Sequence, residues 1–395
     1  MIGATAEPCT AESPRPDGDG IVLLAEQTAD VGGQERVVDA LLRRYPRARA
    51  FAPRFSATCE PDDPRPQWDD RVELVGRAWG RRRGYLVPLY ASSMARATLG
   101  PARLVLSVTH GGWTLAAPVP DGARHVAYSS GLNTWLYDLA RLSLRQERPL
   151  MRTTLPPFLP ALRGLDRRLM RKTDCVLANS RYSAQALAEA HGRDTEVIYP
   201  PVRTDYFTPG FPPGQGDHYL VVARMTAQKR VDIVVEAFRQ LGLPLVVAGG
   251  GPELERIRRL APPNVAFVGA VDDPALRDLY RSSRGLICPS VETFGIAMAE
   301  ALSSGLPVIA AREGGALEVV EHGRTGLLLD AVGPDTIAAA VRELEERQFD
   351  PDACRNSALP FSEAAFGEAM DTVLAAELSL AGGNGRAAAA SSRLA

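Results

Sequence analysis

At 395 residues the chain is long enough for two domains, and with 45% hydrophobic and 23% charged residues it has the composition of an ordinary soluble globular protein. Its net charge of −2 gives no overall nucleic-acid footprint, and no run approaches the ~18 apolar residues of a membrane-spanning helix. The five cysteines (Cys9, Cys59, Cys175, Cys288, Cys354) lack Cys-x-x-Cys spacing, which argues for reduced thiols in a cytoplasm rather than a disulfide frame or a zinc site.

In chain order, Met1–Gly20 is polar and lacks the apolar stretch of a signal peptide, and is expected to be a disordered tail. Residues 21–25 read as a buried strand leading into Asp30-Val-Gly-Gly33, and Gln34–Arg44 has apolar residues at 37, 38, 41 and 42, the spacing of a helix. Further strands are predicted at 104–108, 125–128, 175–178 and 196–199, with helices at 135–145, 160–172 and 181–191. A stretch rich in Pro and Gly from Tyr199 to Gly216 marks a linker. Alternation restarts with a strand at 219–223, a helix at 231–241, a strand at 244–248 and a helix at 252–260, and continues to about residue 348. The class is α/β, with two consecutive doubly wound units that predict two facing Rossmann-like domains and a cleft between them, 21–205 and 206–358. Ser362 can cap a helix over 362–378 whose Phe366, Met370, Val373 and Leu374 fall on one face, and 381–395 is expected to be a second disordered tail.

Charge divides unevenly. Residues 1–205 hold 28 Arg+Lys against 23 Asp+Glu, and the remainder 17 against 24. The basic excess collects at Arg77–Arg83 and Arg163–Lys172, a solvated face or a surface for an anionic membrane or acceptor. Of the 45 basic residues only Lys172 and Lys229 are lysine, and Lys229 has the more telling neighbours, since a compact ammonium binds phosphate as a point charge.

The densest information lies between Leu286 and Asp330. A short apolar strand and a Pro-Ser break precede Glu292-Thr-Phe-Gly-Ile-Ala-Met-Ala-Glu300, then come a second strand at Pro307–Ala310, the pair Gly314-Gly315, and Glu318. Gly295 lets backbone at a helix mouth approach a ligand closely, and the unpaired N–H groups there favour oxygen-rich or anionic groups. Upstream, Arg224 and Lys229 stand five residues apart on a strand-to-helix loop, within reach of one diphosphate. Asp17-Gly-Asp19 has the spelling of a metal-binding motif but falls in the expected tail.

The 292–300 segment resembles the donor site of family 4 retaining glycosyltransferases, whose signature is Glu, seven residues, Glu around Phe-Gly-Ile. The resemblance runs from about residue 20 to about residue 375 and is weaker in the N-terminal half. It implies the fold called GT-B, with the helix at 362–378 crossing back to the N-terminal domain. It also implies catalytic roles for Arg224 and Lys229 at the leaving diphosphate and for Glu292 at hydroxyls of the transferred sugar, aided by main-chain N–H groups of Gly295, Ile296 and Ala297. Glu300 would take the nucleotide ribose, Gly33 would present backbone to the donor phosphate or the acceptor, and the backbone of Asn264–Val271 would line the base. No metal and no cofactor are expected, because the two cations do a metal ion's work.

One departure stands out. Mannosyl-transferring relatives carry Tyr-Cys-His-Thr-Pro and then a run ending Trp-Asp; this chain reads Tyr128-Ser-Ser130-Gly-Leu132-Asn-Thr-Trp135-Leu-Tyr137-Asp138. The family histidine that approaches the sugar is therefore Ser130 here. His110, Ser130 and Asp138 are the acceptor-side candidates, with His125 also close in sequence. The resemblance implies transfer of a sugar, mannose-type favoured, from a nucleoside-diphosphate sugar to a small-molecule, lipid-linked or glycan hydroxyl. A UDP-glucose or UDP-N-acetylglucosamine transferase is the alternative, and a catalytically silent GT-B partner protein the alternative of another class. The expected location is cytoplasmic, with peripheral contact at the inner face of a membrane and no nucleic-acid partner.

Overall fold

The structure is a computed structural model, and it describes residues 16–26, 33–55, 72–79, 87–110, 112–133, 136–137, 156–210 and 216–381. Thirteen strands are described: β1 Ile21–Ala25, β2 Arg49–Phe55, β3 Val72–Trp79, β4 Leu104–Thr109, β5 Arg124–Ser129, β6 Cys175–Ala178, β7 Glu196–Val197, β8 His218–Val222, β9 Leu245–Ala248, β10 Val265–Gly269, β11 Ser283–Cys288, β12 Val308–Ala311 and β13 Gly326–Leu329. The α-helices are α1 Gly33–Arg44, α2 Val87–Met94, α3 Leu159–Met170, α4 Arg181–His191, α5 Val231–Leu241, α6 Leu254–Leu260, α7 Asp273–Arg281, α8 Ile296–Ser303, α9 Ala316–Val319, α10 Pro334–Glu346, α11 Pro351–Ala358 and α12 Glu363–Leu380.

The strands build two sheets, of seven in the order β3-β2-β1-β4-β5-β6-β7 and of six in the order β10-β9-β8-β11-β12-β13. Every pairing is parallel. Parallel strands buried on both faces need continuous apolar runs, and β1 and β4 are buried at every residue. In each sheet the order reverses between neighbouring strands, at β1/β4 and at β8/β11, and ligands bind outside the carboxyl ends of strands at such points. Glu26, His110 and Ser130 follow β1, β4 and β5 directly; Arg224, Glu292 and Gly314 follow β8, β11 and β12 within a few residues. The two-domain α/β fold expected from the sequence is what the chain adopts.

Two strands of chain join the domains side by side. The Val202 N–H donates to the Phe361 carbonyl at 2.9 Å and the Glu363 N–H to the Val202 carbonyl at 3.1 Å. Ser362 caps α12 by accepting from the Ala365 N–H at 3.2 Å. Phe366, Met370, Val373 and Leu374 then enter the N-terminal core with Leu41, Tyr45 and Tyr128. The Tyr128 and Phe366 rings meet edge-on with centroids 5.9 Å apart. Asp371 takes Arg44 and the Tyr45 hydroxyl, the latter at 2.9 Å, and Glu377 takes Arg124 at 2.6 Å. The crossover helix is thus an integral layer of the N-terminal domain.

The sequence reading of a helix at 135–145 lies mostly outside the described residues, as do residues 1–15 and 382–395 of the expected tails. Asp17 forms part of the turn before β1, where its carboxylate pairs with Arg47 at 2.7 Å.

Candidate active site

The loop after β11 is shaped by glycines. Gly295 has φ 98° and begins α8, where a Cβ would lie 2.0 Å from Met298 Cε. A Cβ on Gly314 would lie 2.4 Å from the Glu292 carbonyl oxygen and one on Gly315 2.3 Å from Phe294 backbone, and the Gly315 N–H donates to the Glu292 carbonyl at 2.8 Å. The glycine pair therefore clamps the backbone that carries Glu292. Phe294, 1% exposed, anchors the loop from below, stacking against Phe361 and Tyr199 at the interdomain junction.

On this loop the Glu292 carboxylate receives the Lys229 ammonium at 2.5 and 2.7 Å and the Ser290 hydroxyl at 2.6 Å. Arg224 is exposed on the loop before Lys229. That loop is seated on Gly249 and Gly251, where a Cβ would meet the Ala223 and Met225 carbonyl oxygens at 2.0 and 2.6 Å. The glycine run at 249–251 holds the arginine loop close, which is a role the sequence alone left open. Arg230 turns away and donates to the Val332 carbonyl at 3.0 Å.

Glu300 is set apart from this group. Only 2% exposed, it accepts from the Tyr280 hydroxyl at 3.0 Å and pairs with Arg36, which projects from α1 of the opposite domain. Arg203 and Arg36 both approach Asp273 nearby. Burial lowers the Arg36 guanidinium from its ordinary range, and Arg203 pushes the same way. Two further contacts join the walls. Glu318 of α9 accepts from the Arg181 and Tyr182 N–H groups at 3.0 and 3.1 Å, capping α4 across the cleft. A Cβ on Gly33 would lie 3.0 Å from Ile296 Cδ1, so the start of α1 faces the start of α8, where Ala297 follows.

On the N-terminal wall, His110 Nδ1 lies 3.3 Å from Ser130 Oγ, and Gln34 Nε2 donates to the same hydroxyl at 3.2 Å. Glu26 holds the turn beneath, accepting from the Thr109 hydroxyl and the N–H groups of His110 and Trp113. Burial holds the His110 imidazole below its ordinary range; Arg224 adds to this, while Glu26 and Ser130 oppose it. A neutral imidazole thus stands beside position 130. His125 does not join it: the ring is 2% exposed inside β5, bound to Ser107 Oγ at 2.8 Å, and burial lowers it to about 4. Asp138 lies outside the described residues.

Of the residues singled out in the sequence, the structure brings together Lys229 with Glu292, His110 with Ser130, and Gly33 with Ile296. Sequence reasoning missed Arg36, Ser290, Tyr280 and the clamping function of Gly314-Gly315. A glycine pair just after a strand was the one available signal. Among the described residues no three His, Cys, Asp or Glu side chains gather as a metal-binding group, and no helix is long and apolar enough to cross a membrane.

Two family descriptions divide the chain between them: Glycosyltransferase Family 4 over residues 31–206 and Glycosyl transferases group 1 over residues 203–359. The chain is 34% identical over 218 residues to a Mycobacterium tuberculosis protein named GDP-mannose-dependent alpha-(1-6)-phosphatidylinositol monomannoside mannosyltransferase, across 47% of this chain and 56% of that one. It therefore spans about half the length of this curated relative. Among solved structures, sucrose-phosphate synthase from Thermosynechococcus elongatus superposes with a TM-score of 0.73 at 19% identity, covering 91% of this chain and 99% of that one. Anabaena HepE in complex with UDP and glucose superposes at 0.67 and 19%, covering 90% and 99%. With both halves matched in their proper order on a shared two-domain fold, the chain belongs to glycosyltransferase family 4.

Proposed function

We propose that the chain is a metal-independent, retaining glycosyltransferase that moves a sugar from a nucleoside-diphosphate sugar to an acceptor hydroxyl. The observation that carries this reading is the Lys229–Glu292–Ser290 cluster at the mouth of α8, facing the neutral His110–Ser130 pair. In the reaction the anomeric carbon–oxygen bond to the diphosphate breaks and the acceptor oxygen bonds to the same carbon from the same face. The acceptor proton passes to the departing phosphate oxygen, so no protein base is required. Arg224 and Lys229 offset the charge building on that diphosphate. Glu292 holds hydroxyls of the transferred sugar, and Glu300 holds the ribose once Arg36 has yielded. His110 takes the place of the family histidine that position 130 lacks.

A mannose-type donor is favoured by the name of the M. tuberculosis relative and by the surviving N-terminal aromatics. A UDP-sugar donor is the second reading, favoured by the fold likeness to a protein solved with UDP and glucose. The acceptor is a small-molecule, lipid-linked or glycan hydroxyl, and peripheral contact with a membrane belongs to the same reading; no cofactor and no nucleic-acid partner are proposed.

The test is a thermal-shift panel of GDP, UDP and ADP with their sugar conjugates, since a ligand at a hundred times its Kd adds about 2.7 kcal/mol. One nucleotide standing out fixes the donor class. Silence from all of them in folded protein would put the silent-partner reading first. Glu292→Ala should then abolish transfer while nucleotide binding persists, and wild-type turnover in that variant would remove Glu292 from its assigned role.

A further inference from the structure

The basic run at Arg163–Lys172 is not used by the cleft. It lies on α3 and the turn that follows, and the only acid of that helix, Asp166, is turned inward. It is 4% exposed, accepts from the Tyr137 hydroxyl at 2.9 Å and lies 2.7 Å from His191 Nε2. Arg163 and Arg167 lean on the neighbouring chain, donating to the carbonyls of Leu136 at 2.6 Å and Ala190 at 2.9 Å. They border a groove of about 470 Å³ between α3 and α4.

The outer face has a different composition. Phe158 is 62% exposed and Leu165 40% exposed, and Pro160 and Ala161 are exposed beside them. Ala161, Leu165, Arg168 and Lys172 follow helical spacing along one strip, with Arg171 adjacent. Arg168, Arg171 and Lys172 are exposed, and among the described residues none has a carboxylate partner. Several exposed helical arginines elsewhere are neutralised locally, as Arg43 is by Asp39, Arg239 by Glu236 and Arg256 by Glu253, whereas on α3 three adjoining cations share one face with exposed apolar side chains. An apolar end that sheds no surface and a basic end that finds no counter-charge share one face.

We propose that this face of α3 is a docking surface for an anionic lipid bilayer, with Phe158 and Leu165 entering the headgroup boundary and Arg168, Arg171 and Lys172 meeting lipid phosphates. A soluble polyanion would satisfy the cations and leave Phe158 and Leu165 in water. An apolar protein partner would cover those two and strand the cations. An anionic bilayer, apolar below and negatively charged above, uses both ends. The proposal rests on the membrane-contact part of the proposed function and supplies its location; it requires nothing of the donor site.

Full-length chain is floated with phosphatidylcholine vesicles, with and without phosphatidylglycerol. Wild type should float with the anionic vesicles and stay behind with the neutral ones. Arg168→Gln with Arg171→Gln should lower partitioning about 30-fold, two cations' worth of surface attraction. Phe158→Ser with Leu165→Ser should abolish flotation at physiological salt while capture on heparin is unchanged. Equal flotation with neutral vesicles, or wild-type flotation by both double variants, would overturn the proposal. So would capture on heparin with no flotation at all, which assigns the face to a soluble polyanion. Nucleotide thermal shifts and melting by circular dichroism are recorded for every protein. Flotation without any nucleotide shift then sinks the transferase reading alone, and a nucleotide shift without flotation sinks this proposal alone.

Discussion

On the C-terminal wall of the cleft the working side chains are ionic and partly open to water, with Lys229 28% and Glu292 21% exposed. On the N-terminal wall His110, Ser130 and Gln34 form an uncharged hydrogen-bonded chain over a carboxylate that is already occupied by backbone N–H groups. The difference matches the charge that the proposed reaction would create. Negative charge would grow on a departing diphosphate, so fixed cations suit the wall proposed to bind it. The proposed acceptor is a neutral hydroxyl, which needs a partner that does not repel or trap its proton.

The sharpest way to break this comparison is to remove a cation. Lys229→Ala should cut turnover roughly a hundred- to thousand-fold at saturating donor and also weaken nucleotide binding. A loss of only a few-fold in steady-state kinetics would mean that the ionic wall is not where the barrier is lowered.

The two halves should also differ in acid. His125 is buried in the N-terminal sheet and burial lowers it to about 4, whereas an unfolded histidine titrates near 6.5. Below that value the unfolded chain takes up a proton that the folded chain refuses, so stability is full above pH ~6.5 and falls as pH drops toward 4. The loss is on the order of 3 kcal/mol. Urea titrations across that range should show it in the N-terminal domain, and His125→Gln should flatten the slope. An unchanged slope in the variant would assign the acid sensitivity elsewhere.

His110→Ala should lower turnover about a hundred-fold, the effect of losing one fixed hydrogen-bonding partner of the reacting sugar. Restoring an imidazole from the other side of the contact, by adding Ser130→His, should recover much of it. Failure of that rescue, with nucleotide binding intact, would leave His110 as a support for the turn rather than a partner of the sugar. The smallest effect concerns the contact between the walls: Arg36→Met should tighten nucleotide binding on the order of ten-fold, because one charged hydrogen bond no longer competes for Glu300. Calorimetric titration that shows weaker binding would instead make Arg36 a ligand of the donor.

Much of the C-terminal wall is legible in the sequence because its geometry is local. Glu292, Gly295 and Glu300 lie within nine residues on one strand-turn-helix unit, and buried strands such as Ile21–Ala25 and Cys175–Ala178 announce themselves as unbroken apolar runs. The strands Arg49–Phe55 and Val72–Trp79 are not legible in the sequence. The first is interrupted by Pro53 and Arg54, and the second lies at the sheet edge with Glu73 exposed, so neither shows the apolar pattern. The Arg36–Glu300 and Glu318–Tyr182 contacts join residues 264 and 136 positions apart. No periodicity encodes such pairs; they exist only once the two sheets face each other.

The crossover helix carries a consequence for how the molecule is made. Phe366, Met370, Val373 and Leu374 complete the core around Tyr45 and Tyr128, so the half that leaves the ribosome first lacks part of its interior until nearly the last of these residues has been synthesised. The usual order, in which N-terminal domains fold first during translation, is inverted. The sheet from β8 to β13 can close while β1 to β7 still waits for α12. A stalled or truncated chain ending before residue 366 would hold a finished C-terminal half beside an unfinished neighbour, with apolar surface exposed where the helix should lie.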